Sequence, residues 1–543
     1  MSKLKKILLI LVSVLVVLGG VGYGAFLYLT TTPYVEAMPR NTVTPDEPEL
    51  VAKTANGDVL GKRLDNGIVQ FGGIPIATPP VGDLRFMPPQ PSANWDGVLD
   101  TREQGPRCMQ QDNLFFGVWP GGQSEDCLWV KVNTPALDDK KRPVMVWIHG
   151  GGLTLGGAGE PTYEGATTAA RGDVVHVGVQ YRMGTFGFLD LSQFGPEFEQ
   201  SAELGLLDQL LALKWVHENI EAFGGDPENV TIYGESAGSI AAARLATMPE
   251  SEGLFHKMIL MSGAYTPGDT KKVTQDGAKW FVEELGATSV DDIRALSAKE
   301  FLAAQKKLED YAVTQGAPDL MALIEFEAPT EGAIRKLGER GIPLLHGTTT
   351  NEYHFFTLLE DDTPTRGRDI AHKYLGNLQG LSAEDIEKLK DITASSFPDE
   401  DEQDVYLNTL TWALMAHPHD RFQKIVAEAG APVWQYNFDW KSPEFPELGA
   451  FHALDLPFTF GTLEDNAILV GKTPPAELSE RFQDALIAFA RTGDPNADSL
   501  PDWPRYDRAT RPVMRFGDKV DLITGFNPSL DEFSERFENA LPN

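Results

Sequence analysis

Cysteine and basic residues are scarce in this sequence. Two cysteines in 543 residues exclude a disulfide-rich scaffold but allow a single bridge. Lysine and arginine number 46 against 79 aspartates and glutamates, which gives a formal net charge of −33. Phosphates would be repelled by so acidic a chain, and we therefore predict no nucleic-acid partner. We interpret the charge as the solvated surface of a large globular protein.

Charged residues are absent from the segment Ile7 to Leu29, which follows three lysines. Its length is enough to cross the roughly 30 Å hydrocarbon core of a bilayer, whereas the apolar region of a signal peptide usually has only about 7–15 residues. We therefore predict a basic cytoplasmic region at 1–6 and a transmembrane signal anchor at 7–29. The small residues around Val35-Glu36-Ala37 leave a cleaved signal peptide open as the alternative.

Both alternatives export the rest of the chain, because lysines precede the apolar segment and acidic residues follow it. We expect a bacterial-type periplasmic or extracellular location, with the membrane as a partner through the N-terminal helix unless that helix is cleaved. Residues 30–50 are rich in proline and threonine and are predicted to form a linker. The folded domain is predicted to span 51–543.

Apolar runs alternate with helical patterns from Pro143 onward. Uninterrupted apolar runs are typical of strands buried on both faces. They occur at 144–148, 174–179, 230–233, 257–261, 342–346 and 434–438. This alternation predicts an α/β protein with a doubly wound, mostly parallel sheet. Helical patterns at 270–340 and 381–428 are predicted to cover the site, and 56–61 with 67–71 are predicted to form an antiparallel pair of strands around a turn.

Strand, tight turn and helix signals meet in Gly234-Glu235-Ser236-Ala237-Gly238. β-branched and aromatic residues precede the first glycine, and an alanine-rich segment follows the second. This is the G-x-S-x-G nucleophile elbow, whose glycines avoid clashes with the neighbouring strand and helix. The motif predicts an α/β-hydrolase fold with Ser236 as a nucleophile at a helix N-terminus, where developing negative charge is favoured.

A glycine run, His149-Gly150-Gly151-Gly152, directly follows the strand predicted at 144–148. Consecutive glycines let backbone N–H groups converge on one point, as in the HGGG-type loop that shares an oxyanion hole with the residue after the nucleophile. We assign the donors to the N–H groups of Gly151, Gly152 and Ala237. A phosphate-binding loop is excluded because no Gly-Lys-Ser/Thr follows and no acid stands at dinucleotide spacing.

The hydrolase order of nucleophile, acid and histidine places both partners of Ser236 downstream of it. Glu352 lies just beyond a predicted strand, and His452 follows the last one. Asp455 is the weaker alternative for the acid, because it comes only three residues after the histidine. Other acids considered lie in an acidic run typical of a solvated surface: Glu360, Asp361 and Asp362. Other histidines are assigned to loops, a buried strand or a helix: His149, His346, His176, His417 and His419.

Cys108 and Cys127 bracket a segment rich in glutamine, glycine and aromatic residues. In an exported protein such a pair is more often bridged than free. Trp119 within this segment has two interpretations, packing in the core or lining the substrate pocket. Phe115 is a second candidate for the lining.

Motifs from about Phe71 to Tyr506 resemble those of the type-B carboxylesterases, the cholinesterase-like family that includes bacterial para-nitrobenzyl esterases. Besides the glycine run and the elbow, they include Ser124 to Leu128, Gly205 to Gln209, Phe223 to Pro227, Gly347 to Glu352, Phe451-His452 and Gly493 to Asn496. The chain departs from the family pattern at Gln180, Met261, Tyr353 and Ala453, and we therefore carry over no substrate preference.

The resemblance implies that Glu352 and His452 complete a triad with Ser236. It also implies that Cys108 pairs with Cys127, and that Ser262, like the elbow residue Glu235, supports the triad without contacting substrate. No metal or organic cofactor is implied. We expect hydrolysis of a small-molecule carboxylic ester to acid and alcohol through an acyl-enzyme. The alternatives are a lipase or peptidase-like hydrolase on the same fold, and a non-catalytic binding protein, which would typically lack a triad member. No sequence pattern indicates the oligomeric state.

Overall fold

The computed structural model describes residues 32–112, 119–263, 271–314, 324, 326, 328–357, 365–376 and 381–525. The segment predicted to span the membrane, 7–29, and the candidate Phe115 lie outside the described residues. Among the helices that are described, none combines the length and the hydropathy needed to cross a bilayer.

Eleven of the described strands form one sheet, in the order β17-β16-β15-β14-β13-β12-β10-β11-β9-β5-β4. The strands are β1 (Thr42–Val43), β2 (Val51–Thr54), β3 (Gly57–Leu60), β4 (Lys62–Arg63), β5 (Val69–Pro75), β6 (Val98–Asp100), β7 (Arg107–Cys108), β8 (Gln123–Ser124), β9 (Trp129–Thr134), β10 (Arg142–Ile148), β11 (Val175–Val179), β12 (Gly225–Glu235), β13 (Lys257–Met261), β14 (Leu344–Thr349), β15 (Val433–Phe438), β16 (Pro512–Phe516) and β17 (Val520–Thr524).

The strands from β11 to β16 in this sheet pair in parallel, and antiparallel strands extend both edges. Strand order changes direction at β10, whose neighbours are β11 and β12. In open α/β sheets, ligands bind beyond the carboxyl ends of the strands at such a point. The segments that carry the predicted site residues leave the carboxyl ends of β10, β12, β13, β14 and β15.

Helices cover both faces of the sheet. They are α1 (Ala166–Gly172), α2 (Gly184–Phe188), α3 (Leu204–Asn219), α4 (Ala237–Thr247), α5 (Lys271–Glu284), α6 (Val290–Arg294), α7 (Ala298–Thr314), α8 (Glu331–Glu339), α9 (Glu352–Phe356), α10 (Arg366–Ala371), α11 (Ala383–Ala394), α12 (Glu402–Thr411), α13 (His417–Glu428), α14 (Leu456–Phe460), α15 (Ala467–Val470) and α16 (Ala476–Thr492). Two π-helical turns, His372–Gly376 and Trp412–Ala416, continue α10 and α12.

Alternate residues of the central strands enter two different cores. On β10, Val144 and Val146 join one cluster while Met145 and Trp147 join the other. Both faces are therefore buried, which explains the uninterrupted apolar runs. The six strands predicted from those runs are confirmed, as is helix formation in the two cover regions.

Two of the sequence-based predictions for the edges of the sheet are wrong or incomplete. The stretches at 56–61 and 67–71 do not pair with each other: β3 joins a small sheet with β2 and β6, whereas β5 belongs to the main sheet. The strands β16 and β17 extend the main sheet beyond β15, which was the last strand predicted.

Residues 32–50, predicted as a linker, pack against the domain in the structure. Strand β1 pairs with β6, and the Arg40 guanidinium bonds the Asp126 carboxylate. The Asp126 carboxylate also accepts the Met38 N–H at 2.9 Å. Proline-rich composition predicted a free chain here, but polar partners from the Cys108–Cys127 region hold the segment.

Candidate active site

Ser236 lies at the turn between β12 and α4, with φ 56° and ψ −129°. Such a positive φ is rare for a residue other than glycine and is typical of a strained functional turn. The flanking glycines explain how the turn fits. A Cβ on Gly238 would lie 2.1 Å from the Ile148 carbonyl oxygen, and one on Gly234 would lie 2.5 Å from the Gly238 backbone. The elbow therefore brings β12, α4 and the end of β10 into direct backbone contact.

Gly263, beyond the end of β13, packs against the backbone of the elbow. A Cβ there would lie 2.2 Å from the Ser236 carbonyl oxygen. The Gly263 N–H donates to His419 Nε2 at 2.8 Å, and its carbonyl accepts from the Ser239 hydroxyl. The neighbouring Ser262 is buried, and its hydroxyl has no hydrogen-bond partner among the described residues.

The glycine run after β10 lies against the elbow. A Cβ on Gly150 would come within 3.1 Å of Ser236 Cβ and 2.9 Å of a Glu235 carboxylate oxygen. Gly151 and Gly152 adopt φ values of 101° and 61°, which side chains disfavour. In the described part of the chain, the N–H groups of Gly151, Gly152 and Ala237 donate to no protein acceptor. The donors predicted from the sequence are therefore free to bind an oxygen.

Glu352 and His452 are in direct contact. The Glu352 carboxylate accepts from His452 Nδ1 at 2.5 Å and from the Thr349 N–H at 2.8 Å. Both side chains are buried. Asn351 joins the two segments, because its N–H donates to the Ala450 carbonyl at 2.9 Å and its side-chain oxygen accepts the Ala450 N–H at 3.1 Å. The segments that follow strands β14 and β15 thus place the Glu352 carboxylate and the His452 imidazole in contact.

The other nitrogen of the imidazole, His452 Nε2, lies 3.2 Å from Glu235 Oε1. Glu235 immediately precedes Ser236, so the ring stands beside the elbow. No hydrogen bond joins His452 to the Ser236 hydroxyl in this structure. Catalytic hydrogen bonds are often long or poorly aligned before substrate binds and tighten in the complex.

Buried ionisable groups surround the imidazole. Burial raises the pKa of Glu235 to about 8 and that of Asp455 to about 7. Burial lowers the pKa of His452, but the Glu235 and Glu352 carboxyls beside the ring outweigh this effect and raise it. Asp455 accepts from the Tyr436 hydroxyl at 3.2 Å and does not contact His452, so it is not the acid partner of the imidazole.

The remaining histidines with described positions do not contact the elbow serine. His176 Nε2 is 2.8 Å from the Tyr233 hydroxyl, and His346 Nε2 is 2.6 Å from Gln423 Oε1. Burial lowers the pKa of His149 and His346 to about 4 and that of His176 to about 3. All three are neutral structural residues. The alternative acids at 360–362 lie outside the described residues.

Trp119 is 2% exposed and packs against Trp129, and its indole N–H donates to the Gly105 carbonyl at 2.8 Å. The structure therefore favours core packing over the proposed lining of a substrate pocket. Cys108 and Cys127 form the predicted disulfide. Within the described ranges, no cluster of histidine, cysteine and acidic side chains is suited to a metal ion.

Asn351 and His419 stabilise the site, but neither was predicted from the sequence to do so. Both act through hydrogen bonds to the backbone of a distant segment. No local pattern marks such a contact, because any residue with a buried polar group could supply it.

The class of protein follows from how Ser236 is held. A half-buried serine at a sharp strand-to-helix turn on a mostly parallel sheet, with free backbone donors beside it, is the arrangement of the α/β-hydrolases. A sequence model described as the carboxylesterase family matches residues 48–533.

Individual proteins agree with that match. The chain is 39% identical over 507 residues to the para-nitrobenzyl esterase of Bacillus subtilis, covering 91% of this chain and 99% of that protein. It is 32% identical to the liver carboxylesterase of Sus scrofa, covering 84% of this chain and 88% of that protein. A solved carboxylesterase of Geobacillus stearothermophilus superposes with a TM-score of 0.77 at 33% identity, covering 91% of this chain and all of that one. The chain belongs to the carboxylesterase family and is a carboxylic ester hydrolase.

Proposed function

We propose that Ser236, His452 and Glu352 carry out ester hydrolysis through an acyl-enzyme. The observation that carries this proposal is the position of the His452 ring, which bonds Glu352 through Nδ1 and reaches the elbow through Nε2. When His452 Nε2 moves from Glu235 to the adjacent Ser236, it can act as the general base of the nucleophile.

In the first half-reaction, His452 Nε2 accepts the Ser236 hydroxyl proton while the serine oxygen attacks the ester carbonyl. The tetrahedral intermediate expels the alcohol, which takes its proton from His452. In the second half-reaction water attacks the acyl-enzyme, His452 accepts the water proton, and Ser236 leaves with it as the acid is released. Glu352 holds the Nδ1–H tautomer throughout and stabilises the imidazolium.

The carbonyl oxygen of the substrate becomes negatively charged during both attacks. We propose that the N–H groups of Gly151, Gly152 and Ala237 bind it, because the first two directly follow Gly150, which lies against the elbow, the third belongs to the elbow, and none has a protein acceptor in the described part of the chain. Donors that are fixed before reaction stabilise such charge without reorganisation, and removal of one typically costs about 10²–10³ in rate.

Aromatic side chains beside His452 favour esters with an apolar or aryl group. The Phe356 ring centroid is 5.1 Å from that of His452, and this side chain is 44% exposed. Phe355 stacks on Phe451 at 6.0 Å and also borders the imidazole. A substrate at the elbow can therefore bury apolar surface against this wall. The name of the Bacillus subtilis relative suggests para-nitrobenzyl esters as assay substrates.

We also propose that the enzyme is exported and held at the membrane by residues 7–29, unless they are cleaved. The apolar sequence of that segment and the Cys108–Cys127 bridge support this, since disulfides persist in oxidising compartments. Expression of the whole chain followed by fractionation tests it. We expect activity in membranes after an alkaline wash, and activity confined to the cytosol would contradict export.

The catalytic assignment is tested by Ser236→Ala, assayed with nitrophenyl and para-nitrobenzyl esters of varied acyl length. We expect loss of nearly all turnover with an unchanged melting temperature. Ser251→Ala is the matched control, because among the described residues the Ser251 hydroxyl bonds only the Met248 carbonyl in its own turn. Comparable rates in wild type and Ser236→Ala would refute the proposal.

A further inference from the structure

The loop that carries Gly151 and Gly152 is held in place by side chains from other segments. The Tyr181 hydroxyl donates to the His149 carbonyl at 2.7 Å at its start. Gln180 accepts the Ala158 N–H at 2.9 Å near its end. The middle of the loop is bound by the buried side chain of Gln110.

Gln110 lies two residues after Cys108 and is 1% exposed. Its amide forms a paired contact with one residue of the loop: Nε2 donates to the Gly156 carbonyl at 2.8 Å, and Oε1 accepts the Gly156 N–H at 2.8 Å. A donor and an acceptor on the same partner fix both the position and the orientation of that peptide. Neutral side-chain amides suit this task, because they supply both functions without burying a charge.

Gly156 in turn lies against the first residues of the glycine run. At its φ of 105°, a Cβ would lie 3.0 Å from the Gly150 carbonyl oxygen and 2.8 Å from His149 Nδ1. The carbonyl of Gly151 accepts the N–H of Leu155, the residue before Gly156, at 3.0 Å. A displacement of Gly156 therefore moves the peptides of the glycine run, to which Gly151 and Gly152 belong.

Gln110 itself is fixed by the disulfide-bonded segment. Its Nε2 also donates to the Cys108 carbonyl at 3.1 Å, and its backbone N–H donates to Gln123 Oε1 at 3.3 Å. Gln123 is bound to the N-terminal segment, since its N–H donates to the Pro33 carbonyl at 2.8 Å. An unbroken series of contacts thus joins residues 32–40, the disulfide region and the glycine run.

We propose that Gln110 is a positioning residue of the oxyanion hole: by binding both backbone groups of Gly156, it holds Gly151 and Gly152 where their N–H groups meet the substrate oxygen. The inference rests on the proposed function, because it assigns Gln110 to the support of that same reaction. It also gives the disulfide region a part in catalysis without any contact with substrate.

The test replaces Gln110 by methionine, which keeps the side-chain length and removes both hydrogen bonds to Gly156 together with the one to the Cys108 carbonyl. Because a misplacement of about 1 Å can cost about 10²-fold in rate, we expect kcat to fall by about 10–100-fold with KM nearly unchanged. A trifluoromethyl ketone, which forms a tetrahedral oxyanion adduct with the serine, should lose affinity by the same factor. If Gln110 had only a structural role, kcat and the affinity for the ketone would not fall by the same factor.

Gln483→Met is the matched control, since Gln483 is 3% exposed and, among the described residues, its side chain bonds only Ser479 on its own helix α16. We expect the control to lower the melting temperature without changing kcat or the affinity for the ketone. Gln110→Asn keeps the amide but withdraws it from Gly156, and it is measured in the same way in case the methionine variant misfolds. We expect an equally linked loss for this variant.

A Gln110 variant that is less stable but has wild-type kcat and ketone affinity would overturn the inference. Absence of Ser236-dependent turnover in the wild type is a different result, since it would remove the proposed function itself. The two failures are therefore distinguishable.

Discussion

The serine side of the site and the acid–base side are built from different contacts. On the serine side, the backbone of the glycine run and of the elbow packs directly on other backbone. Added Cβ atoms at Gly150, Gly234 and Gly238 would all lie within 3 Å of neighbouring atoms. Its fit is set by volume and by peptide geometry, neither of which changes with pH.

The acid–base side depends instead on buried groups that bind protons. Glu352, His452, Glu235 and Asp455 are all at most 5% exposed. In this medium of low dielectric constant, the Glu235 and Glu352 carboxyls beside the His452 ring raise the pKa of the imidazole. A change of charge at one of these groups alters the field at the others. The serine side should therefore lose activity when its shape changes, and the acid–base side when its charge changes.

The largest effect is expected for Glu352→Gln, which changes charge at constant volume. The amide cannot stabilise the imidazolium or hold its tautomer, and by analogy with the corresponding change in serine proteases we expect kcat to fall by about 10⁴-fold. Burial lowers the pKa of His452 and the neighbouring carboxylates raise it, so loss of one carboxylate lowers it. The acidic limb of the residual activity should move to lower pH.

Steady-state kinetics between pH 5 and 10 measure both effects. Circular dichroism at each pH controls for unfolding. If the variant kept wild-type kcat, or if its limb moved to higher pH, the role of Glu352 would be disproved.

The sequence was sufficient to predict both sides in outline. On the serine side the turn demands glycine at fixed offsets from Ser236, so the motif is visible locally. On the acid–base side the order of the chain and the ends of strands pointed to Glu352 and His452. The central strands were predictable because burial on both faces leaves uninterrupted apolar runs.

What escaped prediction is contact between segments that are distant in the chain. The bond from Gln110 to Gly156 spans 46 positions, and that from Asn351 to Ala450 spans 99. A buried amide in the sequence gives no indication of which peptide it will bind. The strands β16 and β17 were missed because Arg515 interrupts the apolar run of the first and the second is only partly buried, which weakens the apolar pattern.

Gly238→Ala tests the serine side and is expected to have the second-largest effect. The new Cβ would lie 2.1 Å from the Ile148 carbonyl oxygen, so the turn must move relative to β10. We expect kcat to fall by about 10²-fold, the loss typical of misplaced reacting groups. Because no ionisable group is involved, the ratio of variant to wild-type kcat should be the same at every pH.

Gly332→Ala is the control for this prediction. The Cβ there would meet only Thr330 Oγ1, at 4.0 Å, on the exposed first turn of α8. Activity should be unaffected, and stability should rise slightly because alanine is the better helix former. A Gly238→Ala loss that disappeared at one end of the pH range would contradict the proposed division between the two sides.

Glu235→Gln is expected to have the smallest effect on rate and the most specific effect on pH dependence. Glu235 carries no proton to or from substrate in the proposed mechanism, and we expect kcat at its pH optimum to change by less than about tenfold, below the roughly 10²–10⁴-fold contribution of a general acid or base. Its carboxyl is one of the two that oppose the effect of burial on the pKa of His452. Because burial raises the pKa of Glu235 to about 8, the carboxyl is charged only above that pH, and there it holds the proton on His452. Glutamine cannot do this, so the activity of the variant relative to wild type should rise as the pH passes about 8.

The change in stability of this variant with pH is a second test of the role of Glu235. Burial raises the pKa of Glu235 from 4.5 to about 8, so between these values the folded protein binds a proton that the unfolded chain releases. Stability from this group is therefore present below about pH 4.5 and is lost as the pH rises through 8. Glutamine cannot ionise, and the melting temperature of Glu235→Gln should gain on that of wild type as the pH rises from 5 to 9. Exposed Glu480 supplies the control, since Glu480→Gln should follow the wild-type curve, and parallel curves for all three proteins would show that Glu235 is not held protonated by the fold.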